Sequence, residues 1–245
     1  MNDFERLGDE ATRLINEAAG KGIVLRALGS VGVRLHCPPA LEDMVHRDRW
    51  PKDIDLVTRK QDRRALRGFF EAEGYVADRD MLVAMEGTRY LFRDEDEGID
   101  VDVWVDVLDL CHRIDVSGRL GTGPSLPIED LVLSKLQIVD LTPNDIQDLA
   151  CMLNTHELGR ATDDPEVIDT AYLCTLLADD WGFWRTATAN LSRIASDLPP
   201  RGEDTALELI RLFEEHPKTL RWRVRARVGE RMRWWQEVDI PRDTY

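Results

Sequence analysis

Cysteine is scarce in this chain, and no cysteines occur at metal-ligand spacing. Only four of the 245 residues are cysteines, they are widely scattered, and no C-x-x-C motif occurs. The sequence therefore predicts neither a disulfide framework nor a zinc site, and we expect buried, reduced thiols of the kind found in the cytosol. The four residues are Cys37, Cys111, Cys151 and Cys174.

Long hydrophobic runs are also absent. No apolar stretch approaches the ~20 residues that a membrane-spanning helix needs. The first six residues are polar and do not have the charged-then-apolar layout of a secretory signal. We therefore expect a cytoplasmic protein without a membrane partner. The hydrophobic fraction of 43% and the charged fraction of 32% are typical of a folded globular protein.

Positive charge is in short supply over most of the chain. The 32 Lys and Arg residues are outnumbered by 47 Asp and Glu residues, which gives a formal net charge of −15. This balance argues against nonspecific wrapping of nucleic acid by the whole surface. One segment differs, because Lys218 to Arg233 holds seven Lys or Arg residues and one acid, Glu230. It is interpreted as a solvated helix or, if an RNA is bound, as its contact surface, since arginine and tryptophan contact phosphates and bases.

The first half of the chain mixes helical periodicity with short apolar runs of strand type. This order predicts an α+β fold with an α/β-like, mixed β-sheet. A hairpin turn is expected at Glu86-Gly87. The predicted helices cover 3–20, 31–37 and 60–73, and the predicted strands cover 23–28, 53–57, 75–77, 81–85, 88–92 and 99–107.

From about residue 126 onward the pattern is helical. Thr142 followed by Pro143 is typical of a helix N-terminus, because threonine caps free N–H groups and proline fits the first position. We divide the chain into three parts, 1–125, 126–154 and a C-terminal helical domain, 155–245. The predicted helices cover 126–139, 142–153, 166–178, 181–197, 203–215 and 218–238, with a loop over 155–165.

Asp53-Ile54-Asp55 is the segment from which a chemical function is first inferred. On an extended strand both carboxylates point to the same side, because side chains alternate with a period of two. Carboxylates that lie so close repel each other unless they share a cation or a proton. A third aspartate on a strand alongside would complete an oxygen-rich site suited to Mg²⁺.

The third carboxylate is expected on the strand 99–107. Asp100, Asp102 and Asp106 alternate there with valines, so we expect all three and Trp104 to face one way. Asp102 is favoured because it lies between two valines of the strand. Asp100, nearer an acidic turn, and Asp106, nearer the strand end, remain alternatives.

Gly29-Ser30 lies where a predicted strand turns into a predicted helix. A glycine there permits close backbone approach, and the free N–H groups of a helix start favour a phosphate. The Ser30 hydroxyl adds a further donor. A phosphate-binding turn near a carboxylate metal site is what nucleotidyl transfer requires, because metal ions activate the attacking hydroxyl and neutralise the leaving pyrophosphate.

Together these segments resemble the nucleotidyltransferase fold shared by DNA polymerase β and antibiotic nucleotidyltransferases. The pattern of that family is a Gly-Ser turn, an Asp-x-Asp strand and a later single acid between apolar residues. The resemblance covers about residues 20–107 and implies a nucleotidyltransferase-fold core in 1–125. The matching residues are Gly29, Ser30, Asp53, Asp55 and Asp102.

The resemblance also implies an activity and its cofactor. A nucleoside monophosphate would move from a nucleoside triphosphate such as ATP to an acceptor hydroxyl, with release of pyrophosphate. Two Mg²⁺ ions, or Mn²⁺ in their place, would be held by Asp53, Asp55 and Asp102. Gly29 and Ser30 would bind the nucleotide.

A second motif is similar to that of the AbiEii and MenT-type toxin nucleotidyltransferases. Ser134-Lys135-Leu136 is followed by a helix that contains Asp145 and Asp148. The resemblance implies that Lys135 faces the triphosphate and that one of the two aspartates supports the nucleotide site, the choice between them being open. In this reading the helices of 126–154 complete the active site.

The acceptor is left open at this point. A toxin-like enzyme would modify tRNA and have an antitoxin partner, whereas an antibiotic-modifying enzyme would modify a small molecule. The basic segment near the C-terminus favours RNA, and the net charge of −15 favours a cationic small molecule. A third hypothesis is a nucleotide-binding or interaction module that keeps the fold without catalysis.

Overall fold

The computed structural model describes residues 3–37, 53–78, 87–160 and 164–237. The chain divides into two compact units. Unit 1 consists of Met1–Leu108 and Asp115–Leu131, and unit 2 consists of Asp109–Ile114 and Val132–Tyr245. The division into 1–125, 126–154 and 155–245 stays a prediction.

Unit 1 is built on a mixed β-sheet. Its strands are β1 (Leu25–Ala27), β2 (Asp53–Thr58), β3 (Val76–Ala77), β4 (Arg89–Asp94) and β5 (Ile99–Val105). These five strands lie in the order β1-β2-β5-β4-β3. Strand β2 is parallel to β5 and antiparallel to β1, and β4 is antiparallel to both β5 and β3. The central strands β2 and β5 are therefore neighbours although residues 59–98 separate them in the sequence.

Among the described residues of unit 1, the helices that follow or precede these strands are α1 (Asp3–Gly20), α2 (Gly29–His36) and α3 (Arg63–Ala72). Their apolar residues join those of the sheet in one hydrophobic core. Phe70 of α3 stacks on Phe92 of β4 with ring centroids 4.1 Å apart. Burying one such side chain contributes about 1.5–3 kcal/mol, so this core fixes the sheet on which the acidic residues lie.

Short strands and helices follow. Strands β6 (Val107–Asp109) and β7 (Arg113–Asp115) come after β5, and α4 (Ile128–Leu136) follows them. In unit 2, strands β8 (Glu157–Gly159) and β9 (Val167–Asp169) pair in parallel. The helices of unit 2 are α5 (Pro143–Thr155), α6 (Thr170–Asp179), α7 (Trp181–Ile194), α8 (Pro200–Glu215) and α9 (Leu220–Val228), with 3-10 turns at Ala195–Asp197 and Gly229–Arg231.

Capping side chains mark where α5, α6, α7 and α9 of unit 2 begin. The Thr142 hydroxyl accepts a hydrogen bond from the backbone N–H of Asp145, and the Asp145 carboxylate accepts one from the backbone N–H of Thr142. Asp169, Asp180 and Thr219 accept similar bonds at the starts of α6, α7 and α9. The helix start predicted at Thr142-Pro143 is therefore confirmed.

The predicted α+β layout, with a mixed sheet followed by a helical C-terminal region, is confirmed. Several predicted boundaries were wrong, including the following three. Strand 99–107 ends at Val105, because Asp106 has a φ of 57°. Helix 218–238 ends at Val228, because Gly229 has a φ of 60°. The loop predicted over 155–165 contains β8. The strand predicted at 81–85 lies outside the described residues.

The cysteines are free thiols; Cys37 and Cys174 are buried as expected, whereas Cys111 and Cys151 are half-buried. Among the helices of the described residues, none combines the length and the apolar character that crossing a membrane requires.

Candidate active site

Four aspartates meet in register at the middle of the sheet. On the parallel strands β2 and β5, Asp53 lies opposite Asp100 and Asp55 lies opposite Asp102. Adjacent strands are about 4.8 Å apart, so these carboxylates form two neighbouring pairs, here called the strand cluster. Asp53 is exposed, Asp55 and Asp100 are half-buried, and Asp102 is only 5% exposed. Like charges at this spacing favour a cation between them.

Asp106 does not belong to the strand cluster. It lies beyond the end of β5 with a positive φ of 57°, and its carboxylate accepts a hydrogen bond from the backbone N–H of Lys60. The prediction that Asp106 shares the face of Asp102 was therefore wrong, because β5 ends at Val105, one residue before Asp106. Trp104 does share that face, since one guanidinium contacts both Asp102 and the Trp104 ring.

Gly29 brings the start of α2 against the strand cluster. The backbone N–H of Leu28 donates to the carbonyl of Asp55 over 3.0 Å. Gly29 has a φ of 62°, and a Cβ added to it would lie 2.1 Å from Oδ2 of Asp55. Only glycine fits both the backbone conformation and this close approach. Ser30 follows as the second residue of α2 and is half-buried. The structure thus places Gly29-Ser30 beside Asp55.

Arg89 of β4 is a charged member of this site that the sequence analysis missed. Its Nε lies 2.9 Å from Oδ1 and 2.8 Å from Oδ2 of Asp102, and its Nη2 also donates to Oδ2. Its guanidinium carbon lies 4.3 Å from the centroid of the Trp104 ring. The register pairs Arg89 with Trp104, next to Asp102 along β5. The feature of the sequence that could have indicated Arg89 is the position of this arginine within the strand predicted at 88–92.

The pKa values of these two residues reflect the crowding of charge. Burial would lower the pKa of Arg89, but the carboxylates of Asp102, Asp55 and Asp53 outweigh burial and raise it. Burial raises the pKa of Asp102, and the Arg89 guanidinium opposes that shift without cancelling it. A second guanidinium, that of Arg93, pairs with Asp100 of the strand cluster over 3.0 Å.

The donor set of the strand cluster fits a hard divalent cation such as Mg²⁺. All its side-chain donors are carboxylate oxygens, which Mg²⁺ prefers. An ionised carboxylate has about four lone-pair sites, so Asp102 can accept from Arg89 and still offer an oxygen to a metal. Asp53, Asp55 and Asp102 are the residues that would hold the ion.

Unit 2 holds a second charged group, here called the lysine triad. The Nζ of Lys135 lies 2.9 Å from Oδ1 of Asp145 and 3.0 Å from Oδ2 of Asp148. Lys135 and Asp145 are 8% and 9% exposed, and Asp148 is fully buried. The second oxygen of Asp145 accepts from Thr142. Both aspartates left open by the sequence thus contact Lys135, and their nucleotide-binding roles stay predictions.

Within the triad, Lys135 and Asp145 stabilise each other's charged forms. Burial would lower the pKa of Lys135, but Asp148 and Asp145 raise it. Burial would raise the pKa of Asp145, but Lys135 and the hydrogen bonds from Thr142 lower it. Both groups are therefore held in their charged forms.

The basic segment near the C-terminus forms α9, which has no buried residue. Three of its arginines make structural contacts, and one of them, Arg223, donates to the carbonyl of Thr219. Arg221 pairs with Asp179 over 3.0 Å, and Arg225 lies 4.8 Å from the Trp181 ring and donates to the carbonyl of Gly229. These contacts agree with a solvated helix, and the alternative of an RNA-binding surface stays a prediction.

Comparisons with known proteins give little additional information. No family profile matches the sequence, and no curated protein matches it. Among solved structures, the chain is similar to the solution structure of the antibiotic-resistance factor ANT(2'')-Ia. The identity is 12%, the match covers 91% of this chain and 99% of that chain, and the TM-score is 0.39. A likeness this weak supports no assignment of fold family or function by itself.

Proposed function

We propose that this protein is a Mg²⁺-dependent nucleotidyltransferase that moves a nucleoside monophosphate from a nucleoside triphosphate to an acceptor hydroxyl. Its fold would be the nucleotidyltransferase fold, of the kind found in AbiEii and MenT-type toxins. The proposal is supported by one observation above all. Asp55 lies opposite Asp102 in the sheet and against Gly29 at the start of α2.

Each site residue of unit 1 has a role in the proposed reaction. Asp53, Asp55 and Asp102 would hold the metal, which supplies positive charge to lower the pKa of the acceptor hydroxyl and stabilise pyrophosphate as leaving group. Gly29 lets the chain pass close to Asp55, and the first N–H groups of α2 with the Ser30 hydroxyl can donate to phosphate oxygens. Arg89 orients Asp102 through its forked contact.

Lys135 would bind the triphosphate as a point charge, with Asp145 and Asp148 holding it in place. For the acceptor we propose an RNA such as tRNA, in keeping with the arginines of α9 that are exposed to solvent. A protein antitoxin would be its partner in that case. A small antibiotic remains the alternative acceptor, which the net charge of −15 favours if the molecule is cationic.

The test is nucleotide transfer from labelled triphosphates in the presence of Mg²⁺, with tRNA and with aminoglycoside antibiotics as separate acceptors. Wild type is compared with Asp53→Ala and Asp55→Ala, and Asp109→Ala on the exposed end of β6 is the matched control. We expect loss of transfer by at least about 10³-fold in the first two, because carboxylate metal ligands supply several kcal/mol to the transition state. Equal transfer by all four proteins would refute the assignment.

Titration calorimetry separates the enzyme from a module that does not catalyse transfer. Wild type should bind a triphosphate more tightly with Mg²⁺ than with EDTA. Nucleotide binding without transfer to any acceptor would favour the nucleotide-binding module, and absence of nucleotide binding would favour the interaction module.

A further inference from the structure

A second charged feature of unit 1 is a basic cavity just beyond the C-terminal end of β2. Its volume is about 590 Å³, in the range of ligand-binding sites. Four of its seven lining residues are cationic, namely Arg59, Lys60, Arg63 and Arg64. This concentration of positive charge contrasts with a chain whose net charge is −15.

Most of this positive charge is not balanced by the protein. Arg59 pairs with Asp62 over 2.8 Å. Within the part of the chain that the structure describes, the side chains of Lys60, Arg63 and Arg64 make no hydrogen bond or ion pair. Asp106 also lines the cavity, and its carboxylate accepts from a backbone N–H. Unbalanced cations that converge on one cavity favour an anionic ligand.

Two neighbouring features add to the positive potential. Helix α3 begins at Arg63, and the carboxylate of its N-cap residue Asp62 pairs with Arg59 and makes no capping hydrogen bond to the helix N–H groups. Burial lowers the pKa of Arg26 on β1, and the nearby guanidinium of Arg59 lowers it further. Two guanidinium groups this close repel each other, and a bound anion would offset that repulsion.

The lining also indicates which kind of anion fits. Among the residues that the structure describes, the lining has no aromatic and no aliphatic side chain, since its remaining members are Gln61, Asp106 and Ser117. These charged and polar groups suit phosphates better than an apolar molecule. Lys60, Arg64 and Ser117 are exposed to solvent. Exposed cations along a loop and a helix start suit the repeated phosphates of a polymer better than an enclosed small ligand.

We propose that the basic cavity binds the sugar-phosphate backbone of a nucleic acid. The cavity is distinct from the strand cluster, because Asp53 and Thr58 are at opposite ends of β2, a span of five residues or about 16 Å. Binding here does not depend on the proposed transfer. Use of the bound nucleic acid as the acceptor does rest on the proposed function.

The experiment measures binding of the full chain to a fluorescent RNA hairpin and to a DNA hairpin of the same sequence, over a series of salt concentrations and without nucleotide. The variant carries Lys60→Gln, Arg63→Gln and Arg64→Gln. We expect affinity to fall by at least about tenfold at low salt, and the slope of log affinity against log salt to flatten by about 0.9 per lost phosphate contact. Tighter binding of the RNA hairpin than of the DNA hairpin, or the reverse, would show which kind of nucleic acid the cavity prefers.

A charge-matched control removes three exposed cations from unit 2, through Arg193→Gln, Arg201→Gln and Arg211→Gln. We expect it to keep the wild-type affinity, and thermal unfolding should show that both triple variants fold. Asp53→Ala should bind as wild type does, which separates failure of binding from failure of transfer. The proposal would be overturned if the two triple variants lost hairpin affinity equally. It would also be overturned if the variant with Lys60→Gln, Arg63→Gln and Arg64→Gln lost none. Binding of wild type to tripolyphosphate or phosphatidylserine vesicles but to neither hairpin would also overturn it.

Discussion

The strand cluster and the lysine triad are both groups of aspartates with one cation, yet their charges are balanced differently. In the lysine triad, Lys135 lies within 3.0 Å of two carboxylates, and all three residues are buried. In the strand cluster, four carboxylates lie in register on two strands, with Arg89 donating to Asp102 and Arg93 donating to Asp100. The exposure of the cluster increases from Asp102 to Asp53.

This difference separates a buried group of paired charges from a group of carboxylates that extends to the solvent. The triad is buried with its charges nearly matched, which is how proteins keep ionised groups away from water. The cluster brings four carboxylates together in register and is exposed at Asp53, and like charges this near repel each other. A cation from solution would relieve this repulsion, so the comparison favours the cluster as the catalytic centre.

The largest effect is expected from breaking the lysine triad. Asp148→Ala leaves the Lys135 ammonium buried with one partner fewer, and we expect the free energy of unfolding to fall by about 3–5 kcal/mol. The control is Glu230→Ala, which removes an exposed pair with Arg185 and should change stability by about 0.2–1 kcal/mol. Urea unfolding of both variants measures the difference. Equal losses of stability in the two variants would mean that the buried triad contributes no more to stability than an exposed ion pair.

The triad also predicts a pH window. The pKa of Asp145 is lowered by folding, so its stabilisation is complete above the ordinary value of about 3.9 and is lost as pH falls through the lowered value. The pKa of Lys135 is raised, so its stabilisation is complete below about 10.4 and is lost as pH rises through the raised value. Wild type should therefore show full stabilisation from this source between those limits.

A smaller effect is expected from Arg89→Ala in the strand cluster. The change leaves the buried Asp102 without its guanidinium and should lower the free energy of unfolding by about 2–3 kcal/mol near pH 7. Because the folded pKa of Asp102 is already raised and should rise further, the variant should lose stability as pH increases, more steeply than wild type. Mg²⁺ should restore more stability in the variant than in wild type.

Arg93→Ala is the control for that comparison, since it removes the pair with Asp100 at the more exposed side of the cluster. Thermal unfolding with and without Mg²⁺, at several pH values, measures both variants. If Mg²⁺ stabilises Arg89→Ala no more than Arg93→Ala, the cluster is not a cation site.

The smallest effect on stability, but a large one on activity, is expected from Gly29→Ala. The positive φ costs an alanine about 1–2 kcal/mol, and the new Cβ would displace the Asp55 carboxylate. The matched control is Gly98→Ala, which has a φ of 66° and open space around the added Cβ. Both variants should lose similar stability, whereas only Gly29→Ala should lose nucleotide transfer. Equal transfer by the two variants would show that the contact with Asp55 does not matter.

Local patterns were enough to predict several parts of this protein. The period of two placed Asp53 and Asp55 on one side of a strand, and Thr142-Pro143 marked a helix start that the capping hydrogen bonds confirm. The ends of β5 and α9 were predicted too far along the chain. Residues with positive φ end both elements, and apolar periodicity carries no information about that.

By itself, the sequence determined that Asp53 and Asp55 share one side of a strand and that a helix starts at Thr142-Pro143, because these follow from spacing along one segment. The tertiary structure alone decided that Asp55 lies opposite Asp102, that Arg89 contacts Asp102, and that the cations after Thr58 line one cavity. These contacts depend on strand order and register, which join segments far apart in the chain. Charge balance is set by such distant neighbours, and it is what separates the strand cluster from the lysine triad.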